Sequence, residues 1–456
     1  MINRRSMIKS LGGVSMGSVM PFGRPVFKSR RESSSDSGEV DCDVLVAGGG
    51  TAGVVAALQS ALAGCSTIIV EEGSQLGGTM TTGGVSFPGL FHAWGKQVVG
   101  GIGWELVREA VSMNNDELPD FTIPYGTNHP KHHVRINPAL YALLAEERCL
   151  QAGVSLHYYE SIQEVKAQKA GWEVETMGKG SNSLIRCKQF IDCTGNASAA
   201  SLAGFELLRE KENQPGTQMY RLEGYDFEAL DKERILSLYR EALDRGELEV
   251  GDASIDILHT LSCHGDNAQH TLGADSSTAF AHTRTNIKGR SSLLRMLRFI
   301  RGLPACENTT LAGMQTETAV RETYRIRGEY SITLEDYVKG RVFPDALSYS
   351  FYPIDLHTTE GVFPDHLEKG TVATVPLRAL IPASSLNFLV AGRCVSSDRL
   401  ANSALRVQAS CMGMGQAAGA TAALACQKGL SPAEVPVEEI RSLIKKHGGI
   451  VPPHST

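Results

Sequence analysis

The chain has 456 residues, 42% hydrophobic and 21% charged, with a formal net charge of −6, enough to bury a substantial core over two or three domains. No Lys/Arg run offers a nucleic-acid surface, and beyond the first segment no apolar stretch approaches the roughly 20 residues that span a bilayer. Ten cysteines are scattered without a CxxC pair, zinc spacing, haem-binding CxxCH or iron–sulfur spacing, so they read as free, mostly buried thiols and argue against a disulfide-stapled fold.

Residues 1–37 read as an export signal and linker. Asn3-Arg4-Arg5-Ser6-Met7-Ile8-Lys9 sets a twin arginine before a weakly apolar run from Ser10 to Phe22, the n-region and h-region of a signal. The pattern resembles the twin-arginine signal, which implies passage of a folded, cofactor-loaded protein through that export machinery to a bacterial periplasm. The alternative is a disordered basic terminus. No A-x-A site follows clearly, so cleavage stays open. Lys28 to Asp36 is polar and Ser-rich, a linker composition.

Next comes a nucleotide fingerprint. Asp43 to Ala47 is a short apolar strand, Gly48-Gly49-Gly50-Thr51-Ala52-Gly53 follows at once, Val54 to Ala63 is a helical apolar run, and Thr67 to Val70 is a second strand ending at Glu71. This is G-x-G-x-x-G in the strand–turn–helix–strand context that gives it meaning. Gly48 permits the turn, Gly50 admits a pyrophosphate to the backbone, and Gly53 lets helix and strand pack closely. The helix N-terminus at Thr51 and Ala52 offers free N–H groups to phosphate. Glu71, 18 residues beyond Gly53, can accept from a ribose hydroxyl and disfavours a 2′-phosphate.

Five further glycines lie in Gly73-Ser74-Gln75-Leu76-Gly77-Gly78-Thr79-Met80-Thr81-Thr82-Gly83-Gly84. A plain NAD dehydrogenase would continue with another helix and strand. A backbone-rich loop here suits close approach to the ribityl and flavin parts of FAD, with Gly77, Gly78 and Thr79 as contacts. The alternative is a flexible surface loop. The loop contains no histidine, so non-covalent FAD is expected.

Further motifs extend the pattern: Arg135-Ile136-Asn137-Pro138 opening a helix towards Gly153 to Tyr159, then Phe190-Ile191-Asp192-Cys193-Thr194-Gly195-Asn196, Phe388-Leu389-Val390-Ala391-Gly392-Arg393, Ser403 to Val407, and Gly413-Met414-Gly415-Gln416-Ala417-Ala418-Gly419. Together with the first block, these residues resemble the FAD-dependent oxidoreductase family of the glutathione-reductase-like two-domain flavoprotein superfamily, over about residues 41 to 430. The resemblance implies an adenine contact near Ser161 and Ile162, and a return to the dinucleotide at Thr194 and Gly195. It also implies a helix after Gly392, carrying Gly415, Gln416 and Ala417, whose N-terminus faces the flavin and stabilises its reduced charge. An ordinary small-residue packing face is the alternative.

The expected fold class is α/β: a Rossmann-like three-layer ββα FAD-binding domain (38–202 and 376–430) with an inserted α+β substrate domain (203–375) and a C-terminal helix and tail (431–456). The insert is expected to carry a mixed or antiparallel sheet and, from Glu223 to Leu248, a charged helical stretch.

In such a protein the flavin carries the electrons, and the chain supplies orientation, proton transfer and charge. Alternating Ile354-Asp355-Leu356-His357 reads as a strand with Asp355 and His357 on one face. There the carboxylate would raise the imidazole pKa, making His357 the leading acid/base, or else a structural histidine. Arg321 and Arg325 share a face if their segment is helical, to clamp an anion or a flavin oxygen, or to pair with Glu317, Glu322 or Glu329. Arg406, near the start of the late helix, is a further candidate for substrate or flavin. His132-His133 fits a solvated loop or a substrate entrance. His259, His264, His270 and His282 lack metal-ligand spacing, and no metal site is expected. Arg399-Leu400-Ala401-Asn402-Ser403 is similar to a fumarate-reductase stretch but lies about four residues out of register, so that mechanism is not carried over.

The expected activity is oxidation of a small hydroxylated or carboxylated metabolite, with dioxygen or an unidentified redox partner as electron acceptor. The alternatives are a reductase of an activated double bond fed by an external protein donor, and a flavin-loaded redox carrier.

Overall fold

The computed structural model describes residues 38–123, 128–358, 361–362 and 364–453; the export signal expected in residues 1–37 lies outside the described residues. β1 (Gly38–Ala47) and β2 (Thr67–Glu71) flank helix α1 (Thr51–Leu62), as the fingerprint requires. β3 (Ser155–Tyr158) adds to β2, and β6 (Ser181–Asp192) adds to the other side of β1, all in parallel. The twelve residues of β6 serve two neighbours along one edge. Residues 181–187 pair antiparallel with β5 (Gly171–Gly178), itself paired with β4 (Ser161–Gln168), and residues 190–192 pair parallel with β7 (Phe388–Val390).

Val44 to Ala47 are all fully buried, the pattern of a parallel strand covered on both faces. Alternate residues serve different cores. Val44 and Val46 pack with α1, α2 (Ile102–Met113), α3 (Pro138–Gln151) and α6 (Gln408–Lys428). Leu45 and Ala47 pack with Trp172, Val174 and Ile185 of the β-meander and with Phe388. Helices on one face and the meander on the other give the three layers of a Rossmann-like ββα unit, a mixed α/β fold.

α6 lies directly on α1. A Cβ at Gly415 would sit 2.3 Å from the Ala52 carbonyl oxygen, and one at Gly419 2.3 Å from that of Ala56. Glycine four residues apart therefore lets the two backbones touch.

Between β6 and β7 the chain is antiparallel, in two-stranded pieces rather than one larger sheet among the described residues. Tyr220–Glu223 pairs with Thr310–Met314, Leu207–Leu208 with Arg325–Ile326, and Ala346–Ser350 with Ala373–Pro376. A separate apolar core joins Leu222, Ile257 and Leu261 to Leu293, Met296 and Ile300 of α4 (Ala279–Arg301). The expected helix at 223–248 is shorter, Lys232–Asp244, because Asp231 caps it and Glu223 belongs to a strand. All ten cysteines are free, eight of them buried. Among the described residues, no helix is long and apolar enough to cross a membrane.

Replacing Gly419 by Val should cost about 2 kcal/mol or more, because the new Cβ meets backbone rather than a movable side chain. Urea unfolding would show this as a lower midpoint; an unchanged midpoint would mean that α1 and α6 are not held this closely.

Candidate functional site

Two sites lie towards the start of α6. The first is the cradle at the start of α1. Gly48 has φ +89°, and a Cβ there would lie 2.8 Å from the Cys193 carbonyl oxygen. A Cβ on Gly53 would lie 1.9 Å from the Gly48 carbonyl oxygen. Beside Gly50 there is nothing within 4 Å, so this glycine opens space where the other two close it. Gly50 caps α1, leaving the N–H groups of Thr51 and Ala52 without intrahelical acceptors.

Glu71 is a clasp: Oε2 accepts from Gly49 N at 2.7 Å and Oε1 from Gly73 N at 2.7 Å. Burial pushes its carboxyl pKa up, against the lowering effect of those two bonds. Gly77, φ +104°, donates to the Gly49 carbonyl at 2.8 Å, and Gly78 lies against Gly50. The Thr79 carbonyl accepts from Val85 N at 3.0 Å and fixes the following loop. Ile162 follows Glu160, whose N–H bonds the Glu71 carbonyl at 3.3 Å, which sets β4 beside the same strand end. Thr194 is held on Asp192 by its N–H and hydroxyl, while Gly195 and Asn196 receive the Arg393 guanidinium. A Cβ at Gly392 would lie 3.2 Å from that of Ala52, so the β7 turn closes on the same helix start.

Gly415, Gln416 and Ala417 were expected to contact the cofactor. They lie two turns inside α6, where Gly415 packs on α1 and Gln416 bonds Gln59 Oε1 and the His447 carbonyl, both at 3.2 Å. The residues at the helix start are Gln408 and Ala409, which donate to the Val85 and Pro88 carbonyls at 2.9 and 2.8 Å.

The second site adjoins that helix start. Arg406, between α5 (Arg399–Leu405) and α6, donates to the Asp355 carbonyl at 3.0 Å and to Asp355 Oδ2 at 3.2 Å. Asp355 Oδ2 also meets His357 Nε2 at 3.2 Å, and His357 Nδ1 meets His270 Nε2 at 3.1 Å. Ser403 Oγ accepts from Asp355 N, and Gln214 Oε1 accepts from His357 N, both at 3.0 Å. Gln214 is held in turn by Glu322, which is buried and ion-paired to Arg399. The relay therefore runs His270–His357–Asp355–Arg406, with a second, polar layer behind it.

Its electrostatics differ from the expectation that Asp355 raises the His357 pKa. Burial, helped by Arg321, outweighs Asp355 and brings His357 down to about 4. His270 falls to about 3, again through burial and then Arg321. Asp355 stays ionised: burial would raise it, but His357, Arg406 and Arg321 hold it well below the usual carboxylate range. Arg321 is lowered to about 9 by burial and by Arg406.

The segment carrying Arg321 and Arg325 is extended, not helical, and the two arginines part company. Arg321 donates to the Pro215 carbonyl at 2.5 Å, beside the relay. Arg325 is buried on the Ser397 carbonyl and ion-paired to Glu210 at 2.8 Å, with its Nη1 buried and without a hydrogen-bond partner among the described residues. His132 is buried, and His133 stacks between Phe87 and Tyr352 with burial lowering its pKa to about 4, so His132-His133 is not a solvated loop. Gln214 was not singled out from the sequence, Arg393 entered only as the end of a motif, and His270 only as one of four histidines without metal-ligand spacing. His270 lies 87 residues from its partner, and nothing in its own neighbourhood marks it. Among the described residues, no group of three or more His, Cys, Asp or Glu is arranged to hold a metal ion.

The family profile described as FAD dependent oxidoreductase matches residues 43–444. The chain belongs to the FAD dependent oxidoreductase family. No curated protein matches it. Solved structures similar to this family member include a geranylgeranyl bacteriochlorophyll reductase-like protein from Thermoplasma acidophilum (14% identity, 90% of this chain and 85% of that one, TM-score 0.42). Another is p-nitrophenol 4-monooxygenase PnpA from Pseudomonas putida DLL-E4 (11% identity, 90% and 87%, TM-score 0.40). The likeness to OxyS anhydrotetracycline hydroxylase from Streptomyces rimosus (18% identity, TM-score 0.29) covers 40% of this chain and 38% of that one.

The residues of this FAD dependent oxidoreductase fit the cofactor. Open space beside Gly50, free N–H groups on Thr51 and Ala52, and a carboxylate at the end of β2 are what a pyrophosphate and an adjoining ribose need.

Glu71→Ala removes the clasp and the carboxylate expected to accept from the ribose, and should weaken FAD binding by about tenfold or more, as expected for loss of charged hydrogen bonds. Flavin fluorescence titration of the apoprotein measures this, and unchanged affinity would contradict the assignment. A second expectation concerns pH. His92, His133, His270 and His357 are all held below the ordinary 6.5, near 4 or lower, chiefly by burial. As pH falls below about 6.5 the unfolded chain takes up protons that the fold refuses, so stability is greatest above 6.5 and declines towards 4. A melting temperature that stays flat between pH 7 and 5 would contradict this.

Proposed function

We propose that this flavoprotein oxidises a small hydroxylated or carboxylated metabolite, with the His270–His357–Asp355 relay taking the substrate's proton. The observation that carries the reading is the hydrogen-bond order of the relay. His357 uses both ring nitrogens, Nε2 towards Asp355 and Nδ1 towards His270 Nε2. Nδ1 of His270 has no hydrogen-bond partner among the described residues, and it forms the free end.

At neutral pH both rings are uncharged bases, which suits removal of a hydroxyl proton better than donation to a double bond. A proton accepted at Nδ1 of His270 is matched by movement of the Nε2 proton to His357, and the new charge then rests beside the ionised Asp355. Arg406 holds that carboxylate in place, and Ser403 and Gln214 fix the backbone on either side. Bound FAD supplies the two-electron acceptor for the hydrogen on the oxidised carbon. Dioxygen or a separate redox partner then takes the electrons. The residues holding FAD are Gly48 to Gly53, Glu71, Gly77 to Thr79, Ile162, Thr194, Gly195 and Gly392.

His270→Gln and Asp355→Asn should lower the rate of flavin reduction by substrate about a hundredfold or more while FAD remains bound, read by anaerobic stopped-flow absorbance. Rates within threefold of the parent would remove the relay from the chemistry. For localisation, the twin arginine at Arg4 and Arg5 supports export in folded, FAD-loaded form. Residues 1–37 fused to a folded reporter should carry it to the periplasm, and Arg4→Lys with Arg5→Lys should stop this; a reporter retained in the cytoplasm with the parent segment would refute export.

A further inference from the structure

The relay site carries an imbalance of charge that the oxidation reading does not use. Arg321 and Arg406 are both cations there, Asp355 is the one carboxylate between them among the described residues, and His270 and His357 are neutral. Arg406 places one nitrogen on Asp355, but its Nε is buried with no hydrogen-bond partner. Among the described residues Arg321 has no ion pair, and its hydrogen bond goes to a neutral carbonyl, that of Pro215. A buried guanidinium N–H without an acceptor is destabilising unless a ligand accepts from it.

Backbone pairing brings this charge to the free end of the relay. Gly216 exchanges hydrogen bonds with Thr271 at 2.9 and 2.8 Å, and Thr217 exchanges two with Ala319 at 2.9 Å. Three chain segments thus lie side by side, with His270 on one outer segment and Arg321 on the other. The Arg321 guanidinium rests on Pro215 of the middle segment.

We infer that the substrate is a 2-hydroxy carboxylate: its carboxylate is received by Arg321 and the unpaired Nε of Arg406, and its hydroxyl by Nδ1 of His270. This rests on the oxidation reading above and narrows it. One negative charge balances the site. A neutral alcohol leaves the excess cation unmet, and a zwitterionic 2-amino acid brings no net charge and sets an ammonium against it. In the reaction the O–H proton goes to His270, the C2 hydrogen leaves with both electrons of its bond as hydride to FAD, and the C2–O bond becomes the carbonyl of a 2-oxo acid.

The test uses the FAD-loaded protein and 2-hydroxyisobutyrate, which has the two recognised groups but no C2 hydrogen to lose. Calorimetry should show it binding at least tenfold more tightly than 2-aminoisobutyrate or tert-butanol. Arg321→Met and Arg406→Met should each weaken it at least tenfold, with Arg321→Lys recovering part of the loss. Arg327→Met, at an exposed arginine paired with Glu206, should leave it unchanged. Flavin content and melting temperature report whether each variant folds. Equal binding of all three probes, or affinity insensitive to Arg321→Met in a folded variant, overturns the carboxylate assignment, and the oxidation reading survives if neutral alcohols bleach the flavin. If 2-hydroxyisobutyrate binds as expected but glycolate, lactate and mandelate all fail to bleach the flavin anaerobically, the anion site stands and the oxidation reading falls.

Discussion

The first turn of α1 has almost no room for side chains, and the rest of the molecule is arranged around that restriction. On one side Gly53 faces the Gly48 carbonyl; on the other Gly415 faces the Ala52 carbonyl. A helix squeezed in this way keeps its free N–H groups aimed at the space beside Gly50, where a phosphate can reach them. The same squeeze fixes α6, because Gly415 and Gly419 bind it to α1 along two turns. Whatever stands at the start of α6 is thereby held at a set distance from the cofactor cradle.

Arg406 and Val407 stand there. Through Arg406 the position of α6 is passed to Asp355, through Asp355 to His357, and through His357 to His270. Burial sets the protonation of this chain more strongly than any single neighbour does. It drives both imidazoles to the neutral form, while three positive or hydrogen-bonding groups keep Asp355 ionised against it. A proton arriving at His270 therefore finds neutral bases leading to a fixed negative charge.

The cradle was legible in the sequence because its requirements are local. Gly48, Gly50 and Gly53 lie within six residues, and Glu71 ends the adjoining strand, so spacing alone exposes the design. Asp355 and His357 were legible for the same reason, being two apart in an extended run. The sign of the His357 shift was not, because Arg321 comes from a distant segment and burial is a property of the fold. Arg321 and Arg325 were paired on an assumption of helix, whereas strand-like bridges at Thr217 and Ala319 hold that segment extended. The packing of Gln416 was not legible, because a run of small residues looks alike whether it meets a cofactor or another helix; here it meets α1 and the C-terminal segment.

The most direct measurement is the visible absorbance spectrum of the purified protein after desalting, followed by acid precipitation and identification of any pigment released. A flavin spectrum that survives desalting, with about one FAD per chain released into the acid supernatant, is the expected result for a cradle built as this one is. A colourless protein that cannot be reconstituted with FAD would contradict the assignment of the cradle, and with it the chemistry placed beside α6.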